Sequence, residues 1–218
     1  MLGKKLNELK RKLIEEASLA ENMVRNSIRG LIERKKKILE DVINKDEPRM
    51  NKLEIELDEF CTNLIALYQP EAGDLRTILM ILKMNNDLER IGDLAVNISE
   101  SALFLIEKPL VKPLIDIPRM AENVVNMLKN AVDSSINKDT ELAKSVCEKD
   151  EIVDNLRDQI LRELITYMSS DPLTIERSIH LIRISRSLER IADLSTNISE
   201  DVVFMIDGKI IKHHKDEN

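Results

Sequence analysis

The chain has 218 residues, 43% of them hydrophobic and 33% charged, with only five Gly and six Pro. This Leu-, Ile-, Glu- and Lys-rich composition belongs to helical proteins, and with 2% aromatics and no Trp the core must be aliphatic. A net charge of −7 argues against grip on a phosphate backbone, and so few aromatics against base-stacking platforms, so nucleic acid is excluded as a partner.

The spacing predicts a first helix over 4–34, with Leu6, Leu9, Leu13, Ile14, Ala17, Ala20, Met23, Val24, Ser27, Ile28 and Leu31 on the buried face. The polar run 33–37 turns the chain. A second helix covers 36–68, with Ile38, Leu39, Val42, Ile43, Leu53, Leu57, Cys61, Leu64 and Ile65 inward. Pro48 either kinks this helix or marks its true start with Asp46 as cap; a kink is the preferred reading. A Pro- and Gly-containing turn at 69–74 leads to a third helix over 75–106. The connector KPLVKPLIDIP, carrying Pro109, Pro113 and Pro118, is the best domain boundary. A fourth helix runs over 117–136, and a turn at 137–139 caps a fifth with Asp139, ending near Met168. Ser170, Asp171 and Pro172 turn into a sixth helix that ends at Gly208, before a polar tail.

The chain is written twice. DLERIGDLAVNISE at 87–100 matches SLERIADLSTNISE at 187–200, AENMV at 20–24 matches AENVV at 121–125, and the run ending at Asp46 matches the run ending at Asp150. The offset drifts from 101 to 104 to 100, so small insertions separate the copies. Three amphipathic helices per copy close one core. The expected fold is all-α, two tandem three-helix bundles related by an internal repeat. Residues 1–108 form the first, 114–210 the second, and 211–218 a tail.

Glu89 and Asp93 lie four apart in one motif, and Glu189 and Asp193 in the other, which stacks like charges on one helix face. The preceding helix carries its own acids: Asp150 and Asp154, and in the first copy Glu47 with Asn51, followed by Glu54. Antiparallel neighbours would bring these ladders together. One E-x-x-x-D on a helix is commonly a solvated face, with Arg90 or Arg190 as partner. Its duplication beside a second acidic ladder points instead to a bound cation. Carboxylates without imidazoles suit iron, Mn, Mg or Ca better than structural Zn, in a cluster bridged by water or hydroxide. Asn97 and Asn197 continue the face, as supporting donors or as a helix–helix hydrogen bond.

Nothing else reads as catalysis. His180 sits among apolar neighbours and is expected to be a satisfied, partly buried residue, and His213 and His214 lie in the tail. Cys61 and Cys147 are expected to be reduced core thiols. No catalytic triad order and no glycine-rich phosphate loop is present, so no enzyme is expected. MLGKKLNELKRKL is charged from residue 4, unlike a signal peptide, and no apolar run approaches the ~18 residues of a membrane span, so a cytoplasmic protein is expected.

With these residues in hand, the chain resembles the PhoU family of phosphate-uptake regulators. The likeness rests on 74–100 and 173–200, with ALYQPEAGDLR at 66–76 and EKDEIVDNLRDQILRELITYM at 148–168. It implies two three-helix bundles whose E/D-x-x-x-D motifs bind multinuclear metal clusters, iron in some members. That carries onto Glu89, Asp93, Asp150, Asp154, Glu189 and Asp193. Asn51, a neutral residue where the second copy has Asp154, implies a weaker first site, or one that recruits Glu54. The resemblance also implies a negative regulator of the high-affinity phosphate transporter and of the phosphate-starvation two-component system. It would act by touching the ABC transporter's ATPase subunit and the sensor histidine kinase, and would meet the membrane only through them. Dimers are implied for the family type. The alternative is a metal-dependent enzyme or a metal-storage bundle.

Overall fold

Among residues 2–207, which this computed structural model describes, all regular structure is helical. Helix α1 spans Leu2–Glu33, α2 Lys36–Asp41, α3 Glu47–Tyr68, α4 Ala72–Ile106, α5 Asp116–Asn137, α6 Thr140–Ser170 and α7 Ile175–Asp207. The expected end of the last helix at Gly208 and the tail with His213 and His214 lie outside the described residues. In each half three rods pack together: α1, the α2–α3 rod and α4 in the first, and α5, α6 and α7 in the second. The expected tandem of three-helix bundles is what forms. No helix among the described residues is long and apolar enough to cross a membrane.

The 36–68 rod is continuous, but its middle, Val42–Asp46, is a π turn. Asp46 has helical angles and caps nothing, so it is no helix start. Pro48 follows at once, in the first turn of α3. A proline ring crowds the carbonyl four residues back and offers no N–H, and a wide turn accommodates both defects. The π turn also accounts for one step of the drifting repeat offset, from 104 to 103. Buried Met50 lies eight positions after buried Val42, whereas buried Val153 lies seven after buried Val146. One extra residue in the first copy is looped into the wide turn, and both flanking helices keep their apolar faces inward.

The ends of α1 and α5 close alike. Arg34 and Lys138 take left-handed φ of 52° and 56°. The next residue in each case, Lys35 or Asp139, donates its backbone N–H five residues back, to Gly30 O at 3.0 Å and to Ser134 O at 2.9 Å. This Schellman closure satisfies carbonyls that a helix end leaves orphaned. Asp139 caps α6 as expected, its Oδ1 accepting from Leu142 N–H at 3.0 Å. Asp171 plays the same role before a short 3₁₀ turn at Pro172–Thr174, where α7 takes over three residues later than expected.

The connector is tied down at both ends. Arg34 donates to Ile106 O and Lys108 O, and the buried Lys112 ammonium pairs with Asp116 (2.9 Å) and Glu163. The halves meet α4 against α7 and α1 against α5. One aliphatic core runs through both, from Leu9 and Leu13 on α1 to Ile191 and Ile198 on α7. Cys61 and Cys147 are free, buried thiols whose ionisation burial opposes. His180 stacks on Phe104 across the α4–α7 seam, with ring centroids 4.2 Å apart. Its buried Nδ1 has no hydrogen-bond partner, so it is packed rather than satisfied.

Candidate metal centre

The acids expected to gather do so in part. In the second half, Asp154 on α6 faces Glu189 and Asp193 on α7. Burial pushes the carboxyls of Glu189 and Asp193 above the usual range, with Asp154 adding to both and Asp193 to Glu189. Asp150 lies elsewhere along the pair, where its charge and that of Glu200 act on Cys147. Arg157 reaches into the gathering. Its guanidinium is 3.3 Å from Glu189 Oε1, 3.1 Å from Asp158 Oδ1 and 3.6 Å from Asp154 Oδ1. The second copy therefore already carries a cation of its own.

The first copy is different. Glu89 on α4 has its carboxyl raised by burial first, then by Asp93 and by Glu54 from α3. Glu47 and Asn51 sit on the same rod, Glu47 partly exposed and Asn51 exposed, and Glu47 does not figure among the charges acting on Glu89. Asn97 and Asn197 are both exposed. The α3 and α6 helices align Met50 with Val153 and Leu57 with Ile160, and that register sets Glu54 opposite Arg157. Where one copy places a guanidinium, the other places another carboxylate.

A further acid belongs here that sequence reasoning passed over. Glu16 on α1 is 0% exposed, and neither carboxylate oxygen has a hydrogen-bond partner. Burial, followed by the charges of Glu54 and Glu89, pushes its carboxyl up to about 9, and no basic group counters them. The nearby α1 and α3 cations are engaged outward, Lys12 with Glu56 at 3.0 Å and Arg49 with Glu15 at 2.8 Å. Ile14, assigned to the buried face, is instead 41% exposed. The stripe runs Leu9, Leu13, Glu16, Ala20. In the repeat Ala20 matches Ala121, which sets Glu16 against Ile117, 2% exposed. That match was the signal available in the sequence: an acid stands where its twin has an isoleucine.

Among the described residues, no three His, Cys, Asp or Glu side chains are drawn up as ligands around one point. The donor sets still differ in their fit to a cation. In the first half, two orphaned, buried oxygens lie beside like-charged Glu54 and Glu89, which is the environment a hard cation relieves. In the second, Arg157 stands among the acids and offsets part of their charge, with Arg190 opposing it at Asp193 as well.

The PhoU domain pattern matches residues 13–102 and 117–202, one copy per bundle. A protein of Aquifex aeolicus, named a phosphate-specific transport system accessory protein PhoU homolog, is 43% identical over 97% of this chain and 96% of its own length. A similarly named homolog from Thermotoga maritima is 34% identical over 100% of this chain and 92% of its own. The crystal structure of PhoU from Pseudomonas aeruginosa superposes with a TM-score of 0.91 at 33% identity, covering 96% of this chain and 100% of that one. The phosphate transport system regulatory protein PhoU from Streptococcus pneumoniae superposes at 0.89 and 26%, covering 97% and 100%.

Proposed function

The chain belongs to the PhoU family, and from that premise we propose that it is an accessory regulator of phosphate transport that works by contact rather than turnover. The observation carrying this reading is end-to-end likeness: relatives named for that role align over nearly the whole chain, in sequence and in fold. In this reading it restrains uptake and damps the phosphate-starvation response at high phosphate, in the cytoplasm, by docking helix faces on the transporter's ATPase subunit and the sensor kinase.

The acid clusters are proposed to hold metal, iron foremost, with Mn, Mg, Ca or Zn also admissible. Glu54, Glu89 and Asp93 would serve the first bundle, flanked by Glu47 and Asn51, and Asp154, Glu189 and Asp193 the second, with Asp150 beyond them. A metal there supplies positive charge that locks adjacent helices in one relative setting. The chain's own contribution is to present carboxylates from separate helices on rigid rods, so that docking faces keep a fixed angle.

Measuring labelled phosphate uptake at high external phosphate, in cells lacking this protein, tests the regulatory reading. Uptake should rise and return to baseline when the gene is restored. Uptake unchanged by its loss would overturn the proposal. Co-purification from high-phosphate cells, with the ATPase subunit and kinase probed separately, tests the partner assignment.

A further inference from the structure

The two acid clusters differ in a way the repeat does not require. One has a guanidinium at its centre. The other has Glu54 at the matching place, and beneath it Glu16, from a helix that contributes no acid in the second copy. Burying a carboxyl with both oxygens unpartnered is costly, because the group gives up its water and gains nothing for it. Protonation removes the charge but leaves both oxygens without a partner, so it does not discharge the debt. An aliphatic side chain would fill the space at no such cost, as Ile117 does in the twin bundle.

We infer that Glu16 is the buried third-helix ligand of a cation held with Glu54, Glu89 and Asp93, and that this makes the first bundle's site the tighter of the two. The inference rests on the reading that the acid clusters take metal, and adds to it a ligand and a ranking. Glu54 and Glu89 are partly exposed and Asp93 is exposed, which leaves their side chains free to turn onto an ion entering from solvent. Glu16 waits below them with both oxygens unpaired. Three helices then share one ion, α1 through Glu16, α3 through Glu54 and α4 through Glu89 and Asp93. In the second bundle an incoming cation must contend with Arg157, whose charge already occupies the carboxylates. Asn51, the neutral residue expected to weaken the first site, is outweighed by a Glu from each of two neighbouring helices.

Titration of the chelator-treated full-length protein with Mn²⁺, with free ion followed by electron paramagnetic resonance, separates the possibilities. Wild type should show a tighter and a weaker class. The Glu89→Gln/Asp93→Asn double variant should remove the tighter class, and Glu189→Gln/Asp193→Asn the weaker. Glu16→Gln should weaken the tighter class by about tenfold or more and leave the other unmoved. If Glu16→Gln fails to fold, by circular dichroism, Glu16→Ile, which copies the twin position, carries the same measurement. A Glu16 variant that binds as wild type does, while Glu89→Gln/Asp93→Asn loses a class, would overturn the Glu16 assignment alone. A wild type that takes up no Mn²⁺ would overturn the metal reading and this inference with it.

Discussion

At Glu16 the buried face of α1 carries an acid, and the consequence is a pH dependence with a definite sign. The carboxyl sits near 4.5 in an unfolded chain and is pushed up to about 9 in the fold, chiefly by burial. Between those values the folded state holds a proton that the unfolded state has released. The metal-free protein must therefore lose stability as pH rises from about 4.5 through about 9, by an amount on the order of a few kcal/mol. Urea denaturation of the metal-free protein at pH 5, 7 and 9 should show this decline, and Glu16→Gln should flatten it. A slope that survives the substitution would assign the dependence to other groups. Across the repeat, Arg157→Gln strips Asp154, Asp158 and Glu189 of their shared cation and should destabilise the metal-free protein by about 1 kcal/mol in urea melts. The motif acids were legible because the chain states them twice. Glu16 was not, because reading an apolar stripe counts hydrophobic positions and skips a charge standing among them. The same bias placed Ile14 inside. Arg157 as the counterpart of Glu54 was within reach, since the register that sets Asn51 against Asp154 also sets Glu54 against Arg157, but an arginine between acids reads as an ordinary solvated residue until the structure shows it reaching Glu189 on the next helix.

Among the elements, the six rods, their order and approximate bounds followed from periodicity and punctuation, and Asp139 and Pro172 marked their turns as capping chemistry requires. The 36–68 rod was read correctly as one helix disturbed at Pro48. The form of the disturbance, a wide turn before the proline, depends on hydrogen bonds that no residue type announces. Because the turn absorbs one residue, deletion of Asn44, which is exposed, should let the rod run as an ordinary helix in step with α6. The melting temperature should move by only a few degrees. Deleting Glu59 from mid-α3 instead turns every later side chain by about 100° and should unfold the first bundle. Thermal melts of the two deletions decide this. Elsewhere the constraint is steric. A Cβ on Gly30 would come within 2.5 Å of Leu39 Cδ2, and Leu39 is completely buried. Gly30→Ala should therefore cost about 1–3 kcal/mol in urea unfolding, as α1 and α2 are forced apart.

For the whole molecule, the sequence revealed two bundles but not that they share a core. Repeats report likeness between halves and are silent about the surface along which the halves meet. The shared core predicts a single cooperative transition, with circular dichroism at 222 nm and urea midpoints coinciding, rather than two separable ones. The facing helices carry a second consequence. In the two main contacts between halves, α4 with α7 and α1 with α5, each helix meets its own repeat counterpart. That is the arrangement of a two-fold dimer, fused into one polypeptide. A fragment such as 114–207 contains one complete mating surface, and the partner shape it was built against is a near copy of itself. Such a fragment should associate in pairs, and in those pairs the Arg157 cluster would appear twice and the Glu16 cluster not at all. The tandem chain is thus what permits the two sides to diverge, one carrying an arginine among its acids and the other left open to an ion.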